Sequence, residues 1–127
     1  MTTPIYQIKA EFFKTLAHPA RIRVLEVLRD GERTVSELAP IVGIEASHLS
    51  QQLGVLRRAN LVQTRKEGNT VLYSVGNPMI FELLDVARRI LTSSLDETRA
   101  LLAELESPEP SAAPRVTARS LSRRRSS

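Results

Sequence analysis

The chain of 127 residues contains no cysteine. This absence excludes disulfides, thiolate metal sites, persulfide chemistry and cysteine nucleophiles together. Histidine is also scarce, with two residues in the whole chain. Neither the Ser-His-acid spacing of a catalytic triad nor a glycine-rich phosphate loop is present. The sequence therefore argues against an enzyme.

Long apolar runs are missing as well. The longest stretches fall far below the roughly 18 consecutive apolar residues that a membrane span requires. Residues 1–4 lack the basic and apolar regions of a signal peptide. We therefore expect a cytoplasmic protein with no membrane partner, and the length predicts a single folded domain.

The net charge of +4 is unevenly distributed. Residues 1–106 hold 13 Lys and Arg against 13 Asp and Glu, so the surplus lies in residues 107–127. That tail is rich in Pro, Ser and Arg, which predicts a disordered extension after a folded domain of residues 1–106. A mobile arm that touches DNA phosphates is the alternative. Bulk charge thus says little about DNA binding by the folded domain.

Two amphipathic helices are predicted at the start of the chain. Apolar residues recur at helical spacing from Ile5 to Leu16, and this helix should end near His18 because proline disfavours helix at the residue before it. A second helix should begin at Pro19 and stop at Asp30 and Gly31.

The segment from Thr34 to Val75 predicts a helix-turn-helix followed by a hairpin. Thr34 and Glu37 have the spacing of a capping box, which starts a third helix that ends at Gly43. A fourth helix should run from about Glu45 to Asn60, with a left-handed residue at its end. Residues 61–65 and 70–75 are β-prone, and residues 66–69 supply the turn.

A long last helix is predicted from Asn77 and Pro78 to Glu106, a stretch without Gly or Pro after its first turn. Its apolar stripe must be covered, either by its own core or by a second copy of the chain. We favour a homodimer interface built from Ile5, Ile8 and Phe12 in the first helix and Leu84, Ile90, Leu91 and Leu95 in the last. The predicted fold is mainly α with a small β-hairpin, a winged helix-turn-helix in the order α-α-α-α-β-β-α.

The fourth helix has the composition of a DNA-reading element. With Leu49, Leu53 and Leu56 inward, its outward face is polar and lacks carboxylates, and glutamine can bond in pairs to adenine. An ordinary solvated face is the alternative. The predicted DNA-binding residues of helix 46–58 are Ser47, His48, Ser50, Gln51, Gln52, Arg57 and Arg58. In the wing, residues 65–70, they are Arg65, Lys66 and Asn69.

These residues resemble the ArsR/SmtB family of bacterial transcriptional repressors. The likeness rests on residues 12–25 (FFKTLAHPARIRVL), 34–39 (TVSELA), 48–62 (HLSQQLGVLRRANLV) and 65–75 (RKEGNTVLYSV). In detail the chain is most similar to actinobacterial members without thiolate sites. The resemblance implies a homodimer that reads a palindromic operator in double-stranded DNA and is released by an inducer.

The chain departs from metal-sensing members of that family. Residues 37–42 (ELAPIV) contain no cysteine and residues 79–106 contain no histidine, whereas zinc and nickel sites prefer thiolate or imidazole ligands. We therefore expect no metal and no cofactor, with a small-molecule effector or control through expression level instead. A nickel or zinc regulator using His and carboxylate ligands, and an interaction module without specific DNA binding, are the alternatives.

Overall fold

The computed structural model describes residues 2–106, which form five α-helices and one two-stranded antiparallel sheet. The elements are α1 (Ile5–Leu16), α2 (Pro19–Val27), a 3₁₀ turn (Leu28–Asp30), α3 (Val35–Val42), α4 (Ala46–Arg58), β1 (Val62–Glu67), β2 (Thr70–Val75) and α5 (Met79–Glu106). This order confirms the predicted winged helix-turn-helix. Among the helices of residues 2–106, none combines the length and the apolar composition of a membrane span. Chain contacts divide the protein after Leu84 into two units.

The helix starts follow the predicted capping chemistry. The Thr34 hydroxyl accepts a 3.1 Å bond from the Glu37 N–H, and the Glu37 carboxylate accepts a 2.9 Å bond from the Thr34 N–H. Asn77 caps α5 by accepting from the Met79 N–H at 3.0 Å. Asn60 has a φ of 62°, the left-handed residue expected just after α4. These local signals set the element boundaries.

The core of the first unit, residues 2–84, lies between α2, α3 and α4. Leu25, Leu38, Leu49, Leu53 and Leu56 are fully buried in it, which confirms the inward face predicted for α4. Burial of such leucines is the main source of stability in a small domain, at about 1.5–3 kcal/mol each.

The hairpin turn is tighter than predicted. Strand β1 continues through Lys66 and Glu67, and Glu67 pairs with Thr70, so the turn consists of Gly68 and Asn69 alone. Gly68 has a φ of 63°, a conformation that glycine adopts without steric cost. Lys and Glu have low β-propensity, but pairing with β2 extends the strand through them.

The residues predicted for a dimer interface differ in exposure. Phe12 and Leu84 are partly buried against the core of the first unit. Ile5 and Ile8 are exposed on α1, and in the second unit the α5 side chains Ile90, Leu91 and Leu95 are exposed. The structure contains one chain, so the dimer stays a prediction. The tail predicted to be disordered, residues 107–127, lies outside the described residues.

Candidate DNA-binding interface

A sharp turn at Gly43 connects α3 to α4. Gly43 has a φ of 85° and its N–H donates to the Ala39 carbonyl at 2.8 Å, which closes α3 in a left-handed cap. Ile44 then packs against the core, and Glu45 is the extended residue before α4. This turn separates the core-building helix from the helix that carries the candidate contacts.

The outward face of α4 is polar and exposed. Ser47, His48, Ser50 and Gln51 are all exposed, and residues 46–58 contain no carboxylate. The opposite face is buried, so this helix is fixed in rotation about its axis. Hydroxyl and carboxamide groups held in this way can exchange hydrogen bonds with base edges in a major groove.

The last turn of α4 adds two cations. Arg57 and Arg58 are exposed and lie near the negative end of the helix dipole. A Cβ built on Gly54 would lie 3.4 Å from Nη1 of Arg58, so the Arg58 guanidinium folds back over the glycine. The space at Gly54, which would allow a close backbone approach to DNA, is bordered by this arginine.

Gln52 does not belong to the exposed face, and its assignment as a DNA contact is corrected. It is 8% exposed, and its Oε1 accepts a 2.7 Å hydrogen bond from Nε of Arg21. Nη1 of Arg21 also donates to the Thr15 carbonyl at 2.9 Å. Gln52 lies three residues after Leu49 and four before Leu56, so helical spacing already places it on the inward side.

The three DNA-binding residues predicted in the wing differ in their hydrogen-bond partners. Arg65, Lys66 and Asn69 are exposed. The Arg65 guanidinium forms a two-bond contact with Glu32 at 2.8 and 3.0 Å and a further bond with Glu67 at 3.1 Å. These hydrogen bonds, first the pair donated to Glu32 and then the one donated to Glu67, raise the pKa of Arg65, and the bonds that Glu32 accepts lower the pKa of its carboxyl group.

The two histidines of the chain lie side by side. The rings of His18 and His48 have centroids 6.4 Å apart in an edge-to-face arrangement. Nδ1 of His18 accepts a 3.2 Å bond from the Ala20 N–H and so caps α2. A neutral His18 therefore carries its proton on Nε2 and is a donor there, which does not suit metal coordination through that nitrogen. Residues 2–106 contain no group of three or more His, Cys, Asp or Glu that could hold a metal ion.

Sequence reasoning missed Arg21 and Glu32. Each forms its contact with a residue more than 30 positions away, Arg21 with Gln52 and Glu32 with Arg65. No local periodicity or turn motif marks such pairs, since they depend on the tertiary arrangement.

Comparison with known proteins adds family information to this geometry. Residues 18–64 match the family described as bacterial regulatory protein, arsR family. The HTH-type transcriptional regulator Rv0081 of Mycobacterium tuberculosis is 56% identical over 103 residues, which cover 80% of this chain and 90% of Rv0081.

Solved structures agree with these sequence matches. The crystal structure of Rv0081 has a TM-score of 0.70 and covers 76% of this chain and 98% of that one. The transcriptional repressor BigR from Xylella fastidiosa is 35% identical, with a TM-score of 0.62 and coverage of 67% and 87%. The homodimeric winged helix-turn-helix DNA-binding domain of Mb0332 from Mycobacterium bovis is 26% identical, with a TM-score of 0.66 and coverage of 73% and 86%.

Proposed function

Because the chain is a DNA-binding transcriptional regulator that belongs to the arsR family of bacterial regulatory proteins, we propose that it is a homodimeric repressor of a palindromic operator. In this proposal α4 enters the major groove, and Ser47, His48 and Gln51 contact base edges. The hairpin lies beside it as the wing. The protein acts in the cytoplasm, where the chromosomal DNA is.

One observation carries the DNA-reading part of the proposal. The outward face of α4 is exposed, polar and without carboxylates, while its inward leucines are fully buried. A helix that only needed to be soluble could carry acidic residues on this face, as α5 does with Asp85, Asp96 and Glu97. The absence of negative charge where phosphates would approach favours a nucleic-acid partner.

The homodimer is supported by exposed apolar side chains on two helices. Leu91 and Leu95 of α5 are 65% and 58% exposed, and Ile5 of α1 is 63% exposed. Such side chains are normally covered by a partner when they recur along one helix face. The Mb0332 domain is described as homodimeric, and a second copy of this chain is the partner proposed here.

Repression is supported by BigR, which is described as a transcriptional repressor. A dimer seated on promoter DNA would block transcription by occupying the site. Release is assigned to a small-molecule effector or to a fall in expression level.

A binding assay with DNA from beside its own gene tests the proposal. Purified protein should shift this DNA at physiological salt in the presence of excess nonspecific competitor. Footprinting should reveal two half-sites about one helical turn, 34–36 Å, apart. If the protein bound promoter and random DNA with equal affinity, the repressor proposal would be wrong and an interaction module would be the better hypothesis.

A further inference from the structure

The register of the hairpin assigns its side chains to two faces. Val62 pairs with Val75 and Thr64 pairs with Tyr73. Val62 is buried, and Tyr73 and Val75 pack against the core, so these two pairs mark the face of the hairpin that looks toward the helices. Successive strand residues alternate between faces. Lys66 therefore lies on the helix-facing side of β1, and Arg65 lies on the opposite side.

On that opposite side, the Arg65 guanidinium is hydrogen-bonded to two carboxylates of the same chain. Nε and Nη2 donate to the two carboxylate oxygens of Glu32 at 3.0 and 2.8 Å, and Nη1 donates to Glu67 at 3.1 Å. Three of its five N–H groups thus have a carboxylate acceptor. A DNA phosphate that approached this guanidinium would lie beside the negative charges of two carboxylates, which disfavours the contact.

Glu32 connects Arg65 to the start of the helix-turn-helix. The next residue, Arg33, exchanges two backbone hydrogen bonds with Tyr73 of β2, at 3.1 and 2.8 Å. Thr34 then caps α3. The Arg65 side chain therefore reaches across β2 to the loop before α3. The contact holds β1, the strand farther from that loop, in place against it.

Lys66 is in a different state. It is exposed, and the ion pairs found within residues 2–106 do not include it. It lies next to the turn at Gly68 and Asn69, on the face that β1 shares with the helical core. A lysine there can reach a phosphate without giving up a protein partner.

We infer that Arg65 is a positioning residue, which holds the wing against the loop before α3, and that Lys66 is the cation of β1 that contacts the DNA backbone. The inference rests on the proposed function, because it assigns roles within the same DNA interface. It replaces the expectation that Arg65 and Lys66 contact DNA together.

Salt dependence of operator binding separates the two roles. Removal of one phosphate contact should reduce the slope of log K against log salt by about 0.9 in magnitude. Lys66→Gln should therefore flatten the slope by about that amount for each wing. Arg65→Gln should weaken operator binding while leaving the slope at the wild-type value. If Arg65→Gln flattened the slope as much as Lys66→Gln did, Arg65 would be a phosphate contact and the inference would be overturned.

Substitution of Glu32 gives a second test. A Glu32 that positions the wing and a Glu32 that only competes with phosphate predict opposite changes in operator affinity. If Glu32 holds the wing in place, Glu32→Gln should lower operator affinity although it adds net positive charge. If Glu32 only competes with phosphate for Arg65, the same substitution should raise affinity. Glu104→Gln on α5 makes the same change of charge outside the interface and serves as the control.

Hydrogen–deuterium exchange tests the positioning role without DNA. Amides of β1 and β2 should exchange faster in Arg65→Gln and Glu32→Gln than in wild type, and at the wild-type rate in Lys66→Gln. Equal rates in all four proteins would overturn the positioning role, whether or not the protein binds an operator. Failure of wild type to bind any promoter DNA would instead count against the proposed function.

Discussion

Nε of Arg21 donates a 2.7 Å hydrogen bond to the carboxamide of Gln52, which is the one buried polar side chain within residues 2–106. The bond links α2 to the inner side of α4. Since Arg21 also donates to the Thr15 carbonyl near the end of α1, one guanidinium joins three helices. Adjacent glutamines on α4 thus have opposite environments, with Gln51 facing solvent and Gln52 facing the core.

The Arg21 contact predicts a stability difference between the two glutamines. Gln52→Ala removes a hydrogen bond to a charged group and leaves that donor without its partner, so the free energy of unfolding should fall by about 1.5–3 kcal/mol. Gln51→Ala, the matched control, should change it by no more than about 0.5 kcal/mol. Urea denaturation of both variants measures this difference. Equal stability of the two variants would show that the Arg21 bond contributes little.

The same pair of variants separates folding from recognition. Gln51→Ala should weaken binding by about 1–3 kcal/mol at one base pair of the operator and relax the preference for that base. Competition binding with operators substituted at each position would locate the affected base pair. Unchanged selectivity in Gln51→Ala would remove this residue from the set of base contacts.

Local chemistry explains why much of the fold could be predicted from the sequence. Thr34 with Glu37, Asn77 with Pro78, and the leucines of α4 act within a few residues of each other, so spacing alone reveals their roles. The site was harder to predict. Gln52 has the same chemistry as its neighbour Gln51, and its spacing from Leu49 and Leu56 is the local signal that separates the two; its partner Arg21 lies 31 positions away in the sequence. Arg65 looked like a free cation because Glu32 is far away in the sequence.

The exposed leucines of α5 predict a change in oligomeric state. The double variant Leu91→Gln/Leu95→Gln removes two apolar side chains from the proposed homodimer interface. Its dimer should therefore dissociate at a higher protein concentration than the wild-type dimer does. The variant Thr92→Gln/Ser93→Gln alters the polar side of the same helix turn and should leave the dimer unchanged. Sedimentation equilibrium measures both, with circular dichroism to show that the helix is retained. If the two variants dimerised equally, the homodimer interface would have to lie elsewhere.

The contact between Glu32 and Arg65 predicts how stability depends on pH. Because the hydrogen bond from Arg65 lowers the pKa of Glu32 in the folded chain, the unfolded chain binds more protons in acid. The stabilisation is complete above the unfolded pKa of about 4.3 and is lost as the pH falls through the lower folded value. The Tm difference between wild type and Glu32→Gln should therefore shrink below about pH 4.3.

Thermal melts from pH 3 to pH 7, a range that brackets the glutamate pKa of about 4.3, measure this dependence. In an Arg65→Gln background the same Glu32→Gln substitution should give a Tm difference with much weaker pH dependence. An equally strong dependence in that background would assign the effect to a partner other than Arg65.

The segment from Glu32 to Thr34 joins three parts of the interface through consecutive residues. Glu32 bonds to Arg65 of β1, Arg33 pairs with Tyr73 of β2, and Thr34 caps α3. The length of this segment therefore sets the distance between the hairpin and the helix-turn-helix. One residue inserted here would change the distance between the hairpin and α4, which the proposed function places on DNA together. This short loop should therefore tolerate changes of composition better than changes of length.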